Sequence, residues 1–109
     1  MGYVAGKVGQ AFSFTAPGDH LVVNGFLNTI PTTEITVEFW QKVNYARDRY
    51  NFSPTTLTSA NTFDFVGPWA DGKVYWQFGN VNAGGHLSYT PPESILGTWQ
   101  HFACVASQS

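Results

Sequence analysis

Apolar and polar residues alternate along almost the whole chain, and no long segment repeats at the helical period of 3.6. Side chains on a strand point alternately to opposite faces, so this pattern restricts the chain to sheets with one covered face. Gln10 to Thr15 sets Phe12 and Phe14 against Ala11 and Ser13, and Pro17-Gly18-Asp19 then supplies turn chemistry. A short strand is expected from His20 to Val23, ended by Asn24-Gly25. Ile35, Val37, Phe39 and Val43 mark the inward side of the strongest strand, with Glu34, Thr36, Glu38, Trp40 and Lys42 outward. Tyr45 to Asn61 has the composition of a long connection, including a surface charge cluster at Arg47-Asp48-Arg49. Phe63 and Phe65 open another strand, closed by Gly67-Pro68. Asp71-Gly72 is a turn pair ahead of Val74, Trp76 and Phe78, with Tyr75 and Gln77 on the opposite face. Leu87 and Tyr89 alternate before Pro91-Pro92, and a last strand is expected from Thr98 to about Ala106. Roughly seven short strands at such spacing fit an antiparallel sandwich in a single domain spanning residues 1–109.

Composition narrows the function. Aromatic residues form 17% of the 109 residues and charged residues only 11%, which excludes a disordered polyelectrolyte. Five basic and seven acidic residues give a net charge of −2, so no basic field exists to hold a nucleic-acid backbone. Cys104 is the only cysteine, which excludes an internal disulfide or a multi-cysteine metal site. No apolar run reaches the roughly 18 residues a spanning helix needs, and Met1 to Ala5 lacks the basic start of a signal peptide.

Four segments, Gly6 to Phe14, Asp19 to Val23, Ile35 to Lys42 and Trp99 to Val105, together resemble laminin G-like, concanavalin A-like jelly rolls. Gly6-Lys7-Val8-Gly9-Gln10-Ala11-Phe12-Ser13-Phe14 is similar to the opening strand of that family, and Asp19-His20-Leu21-Val22-Val23 to its next element. Ile35-Thr36-Val37-Glu38-Phe39-Trp40-Gln41-Lys42 resembles its Thr-rich strand ending in tryptophan. Trp99-Gln100-His101-Phe102-Ala103-Cys104-Val105 matches its Trp-x-His-x-Ala-x-Val strand. The resemblance implies an all-β, antiparallel jelly-roll β-sandwich, packing roles for Trp40, Trp99 and His101, and an extracellular or cell-surface setting. Members of the family continue past the Trp-x-His strand, whereas this sequence ends at Ser109. The expectation is a partial jelly roll whose exposed edges and apolar face are covered by a second copy, most simply as a two-fold dimer.

Glycoside hydrolases share this broad fold, and their mechanisms need two carboxyl groups roughly 5 to 9.5 Å apart. Glu34 and Glu38 share a strand face, but four residues at about 3.3 Å each place them roughly 13 Å apart. Asp64 is the remaining candidate partner, from a neighbouring strand. His20, His86 and His101 lack the short spacing of a zinc site, and Cys104 among apolar residues fits a small buried hydrophobe. Calcium is the one metal the resemblance suggests, with Asp19 the first-choice ligand and Asp64 and Asp71 as other turn or strand oxygens. Trp69 lies in a Gly-Pro-Trp-Ala-Asp-Gly turn, and Tyr75 and Gln77 occupy a polar strand face. Aromatic planes beside hydrogen-bonding groups suit a sugar or a protein surface. The expected function is therefore a non-catalytic recognition module, with Trp69, Tyr75 and Gln77 as ligand-binding residues and no required cofactor. The competing expectations are a structural fragment that binds only itself and, with less support, a glycoside hydrolase.

Overall fold

The structure, a computed structural model, describes residues 1–26, 33–54 and 62–107. It is all-β, with seven strands among the described residues and every pairing antiparallel. The strands are β1 (Gly2–Ala5), β2 (Gln10–Ser13), β3 (Glu34–Gln41), β4 (Thr62–Val66), β5 (Val74–Gly79), β6 (His86–Tyr89) and β7 (Gln100–Ser107). The chain divides into two units, Met1–Pro31 and Thr32–Ser109.

In the first unit β1 pairs with β2 along four residues, from Gly2↔Ser13 to Ala5↔Gln10. Two glycines make the tight return between them. Gly9 has φ +61°, and a Cβ on Gly6 would lie 3.1 to 3.2 Å from the backbone of Gln10, Ala11 and Val8. Tyr3 and Phe12 are cross-strand partners with ring centroids 5.2 Å apart. The turn after β2 is closed by Asp19, whose Oδ2 accepts from the backbone N–H of Thr15 and Ala16 at 2.9 and 3.1 Å.

In this unit one strand forms that was not expected, and one expected strand does not form. β1 is a strand although Gly2 to Ala5 is too short to show an alternation, because β2 supplies its ladder. His20 to Val23 alternates yet forms no strand. Among the described residues it has no ladder partner, and the His20 ring turns back onto the Gly18 carbonyl at 2.6 Å. Alternation describes a face, but a strand also needs a neighbour for its backbone groups.

The second unit contains two sheets, β3-β7 and β4-β5-β6. β3 and β7 pair over eight positions, with Val37↔Cys104 and Phe39↔Phe102 on the inner face. Phe65 on β4 is 1% exposed and meets Phe39 at 5.1 Å and Phe102 at 4.9 Å between ring centroids. Phe52 bridges to Phe65 and packs edge-on to Phe39 and Trp76. The Trp76 indole N–H donates to the Val105 carbonyl at 3.2 Å, a second tie between the sheets. The inner faces of the two sheets therefore lie against each other over an aromatic core.

Polar side chains lock the ends of β3 and β4. Asn51 Oδ1 accepts from the Gly67 N–H at 2.7 Å, and Gln41 Nε2 donates to the Gly67 carbonyl at 2.7 Å. The Asn51 amide nitrogen in turn donates to Gln41 Oε1. Asp48 accepts from the Ala70 N–H at 3.3 Å, so the charge cluster expected to be merely surface also holds the turn after β4. Of the connection expected from Tyr45 to Asn61, residues 55–61 lie outside the described residues. Between β5 and β6 a 3-10 turn, Val81–Ala83, is capped by Asn80, whose side chain accepts from the Asn82 N–H.

Trp40 and His101 depart from the packing roles that the resemblance implied. They are cross-strand partners on the outer face of β3-β7, with Trp40 45% exposed and its ring 5.1 Å from the imidazole. The phase of the alternation decides this, because Phe39 and Phe102 take the inner positions. Trp99 is half-buried. Cys104 is buried, as its apolar surroundings predict, and burial pushes its thiol pKa up.

Candidate functional site

The register of the three-stranded sheet creates a polar row. Asp64 on β4 lies opposite Gln77 on β5, and Gln77 lies opposite His86 on β6. Alternation sends Phe63 and Phe65 inward and Asp64 outward, onto the face that Tyr75 and Gln77 share. The next row on that face is Val66, Tyr75 and Ser88.

The row runs from interior to surface. Asp64 is 0% exposed, Gln77 half-buried and His86 exposed. With the Gln77 amide nitrogen toward Asp64, it donates to the two carboxylate oxygens at 3.2 and 3.3 Å. The amide oxygen then accepts from His86 Nδ1 at 2.8 Å. Removal from water pushes the Asp64 pKa up to about 6, against the opposing pull of the nearby His86. A buried carboxyl group with a raised pKa, in one row with an amide and an imidazole, is the kind of perturbed group that marks functional sites.

Tyr75 joins this row from the side. Its ring lies 5.4 Å from the His86 ring, and its hydroxyl donates to Asp71 Oδ2 at 2.5 Å. Asp71 also accepts from the Lys73 N–H at 2.8 Å. Tyr75 above all, then the Lys73 N–H, hold the Asp71 carboxyl below its ordinary pKa, while Asp71 raises that of Tyr75. The result is a patch with a fixed aromatic plane, an amide and an imidazole. It can accept and donate hydrogen bonds beside an apolar ring.

Tyr75 and Gln77 are thus brought together, with Asp64 and His86 added to them. Trp69 sits in the β4–β5 turn, where its N–H donates to the Lys73 carbonyl and its carbonyl accepts from Gly72. Its half-buried ring lies 6.2 Å from Tyr50, so it is packed there rather than presented at a loop tip. Asp19 carries, besides its two backbone bonds, the terminal amino group of Met1 at 3.2 Å. The N–H groups of Ala16 and Thr15 and then that amino group hold its pKa below the ordinary value. Its oxygen is engaged as a turn cap. Among the described residues, no group of three or more His, Cys, Asp or Glu side chains gathers where a metal could bind.

Asp64 does not meet the glutamates of β3. Glu34 and Glu38 are exposed on the outer face of β3-β7, and Asp64 points to the outer face of the other sheet. Glu38 instead lies 3.8 Å from His101 Nε2.

A second feature escaped the sequence. A groove of about 480 Å³ runs between β7 and the β5-β6 inner face, lined among others by Trp76, Leu87, Tyr89, Pro92, Ile95 and Phe102. Leu87 and Tyr89 are 62% and 57% exposed. Their alternation was visible, but which side of β6 the opposite sheet would cover depends on how far that sheet extends.

Comparison of the chain with protein-family models, with curated proteins and with solved structures gave no match.

Proposed function

We propose that the chain is a non-catalytic recognition module of the laminin G-like, jelly-roll kind, and that its outer β4-β5-β6 face binds carbohydrate. The observation that carries this reading is the placement of Tyr75, Gln77 and His86 side by side, with Asp64 buried beneath them. An aromatic plane takes the C–H face of a sugar ring, and the amide and imidazole meet its hydroxyls. Asp71 fixes the tilt of Tyr75, so little ordering is left to occur on binding. Trp69, in the turn that holds Asp71, flanks this surface in sequence and serves it through that turn.

The test is a screen of immobilised glycans with the wild-type chain and three variants. Tyr75→Ala and Gln77→Ala should each lower retention about tenfold or more, while Glu34→Ala on the other sheet leaves it unchanged. Retention should also survive a chelator, since the reading assigns no metal. If no glycan is retained, or both substitutions on the face leave retention intact, the reading fails.

Self-association is the second reading, favoured by the groove beside the exposed Leu87 and Tyr89. Sedimentation over a concentration series tests it. An assembly that Leu87→Lys dissociates supports it, and a monomer at every concentration removes it.

A further inference from the structure

The second unit has one open flank. β7 pairs with β3 on one side, and among the described residues no strand pairs with it on the other. The groove of about 480 Å³ runs along that free side, and each residue from Gln100 to Val105 borders it. Its floor is the inner face of β5 and β6. Leu87 and Tyr89 lie opposite Trp76 and Val74 on that face, yet they remain 62% and 57% exposed. β6 therefore projects beyond β7, and the layer above it is one strand short.

The backbone of β7 decides what fits there. The Val105 carbonyl faces the groove, where it accepts from the Trp76 indole N–H at 3.2 Å. In an antiparallel ladder, residues that turn away from their partner alternate with residues that bond to it. With Trp40↔His101, Glu38↔Ala103 and Thr36↔Val105 in register, the same free edge carries the N–H and C=O of His101 and Ala103 and the N–H of Val105. A compact apolar ligand would leave this row unpaired, whereas an extended backbone matches it at every second residue. β6 offers a poorer edge, four residues long and followed closely by Pro91-Pro92, which lack N–H groups.

We propose that an extended peptide segment of another protein adds antiparallel to β7, setting alternate apolar side chains onto Leu87 and Tyr89. Residues directly opposite in such a pair put their side chains on the same face. Guest residues that bond to His101, Ala103 and Val105 therefore point to the outer face, and those between them point into the groove. The groove positions call for apolar residues. The outer positions call for neutral or basic ones, because Glu34 and Glu38 are exposed on that face and the chain carries a net charge of −2. A second copy does not supply this strand through its own β7. A two-fold pairing the two β7 edges would carry the partner's projecting β5 and β6 into the layer that β5 and β6 already fill. The groove lies on the reverse of the face that bears Tyr75 and Gln77, so the inference stands apart from the carbohydrate reading.

The probe is a synthetic peptide of about seven residues, an ordinary strand length, alternating valine with threonine and lysine. Titrated into the ¹⁵N-labelled full chain, it should slow hydrogen exchange at the Ala103 and Val105 amides, which exchange fast in the free chain. The Cys104 amide, bonded to β3, should be slow throughout. N-methylation of the threonine and lysine amides, which face β7, should weaken binding about tenfold or more. N-methylation of the valine amides, which face solvent, should leave it unchanged. Leu87→Lys should weaken binding by a similar factor. A peptide that does not bind, or that binds equally well in both methylated forms, overturns the proposal, and neither result needs a variant to fold. Slow exchange at Ala103 and Val105 in the free chain also overturns it, since the edge is then already occupied. A negative glycan screen removes the carbohydrate reading and leaves this result standing.

Discussion

Asp64 is the residue at which burial and charge conflict most sharply. Its pKa is raised in the folded chain from 3.8 to about 6, so folding favours the protonated carboxyl. A raised value means that the unfolded chain releases this proton first as pH rises. The contribution to stability is therefore whole below pH 4 and lost as pH climbs through about 6. At neutral pH the cost is on the order of 3 kcal/mol. Asp64→Asn should accordingly be more stable than wild type above pH 7, by up to about that amount, and nearly equal to it below pH 4. Urea melts of both chains across pH 4 to 8 check this. Asp19 and Asp71, whose pKa values are lowered, act in the opposite sense on acidification, but they are common to both chains and cancel in the difference. The sequence showed Asp64 alternating with Phe63 and Phe65, and hence its face. It did not show that Gln77 and His86 stand in the same row, because that follows from the register between neighbouring strands, which no single segment sets.

At the scale of elements, local chemistry was legible wherever one short segment decides the outcome. The Pro17-Gly18-Asp19 turn, the Asp71-Gly72 turn and the Val74-Trp76-Phe78 face all formed as their residues require. What escaped was set by pairing with another segment, such as β1 and the missing strand at His20 to Val23, whereas the outward phase of Trp40 was read from its alternation and departs only from the packing role the resemblance implied. Gly85 is a close approach of this second kind. A Cβ there would lie 2.4 Å from the Phe78 carbonyl oxygen and 2.7 Å from that of Asn80. Gly85→Ala must displace the β5–β6 return, at about 1–3 kcal/mol. Gly2→Ala, with nothing within 4 Å of the added carbon, should be nearly neutral. Thermal melts of the two variants compare them directly.

At the scale of the molecule, the second unit depends on aromatic contacts between its sheets. Phe65 touches Phe39, Phe52 and Phe102, one from each of the other segments that meet there. Phe65→Ala should cost about 3–5 kcal/mol, read as a fall in the urea midpoint, because the rings around it sit on separate strands and cannot all close the void. The all-β class and the antiparallel pairing were legible from alternation alone. The extent to which one sheet covers the other was not, and the groove beside Leu87 and Tyr89 is its visible result.

The bond from the Trp76 indole to the Val105 carbonyl gives the second unit an internal clock. The chain has four tryptophans, and this one is buried with its nitrogen proton committed across the gap between layers. In heavy water that proton should be the last of the four to be replaced, at the pace with which β5 and β7 part company.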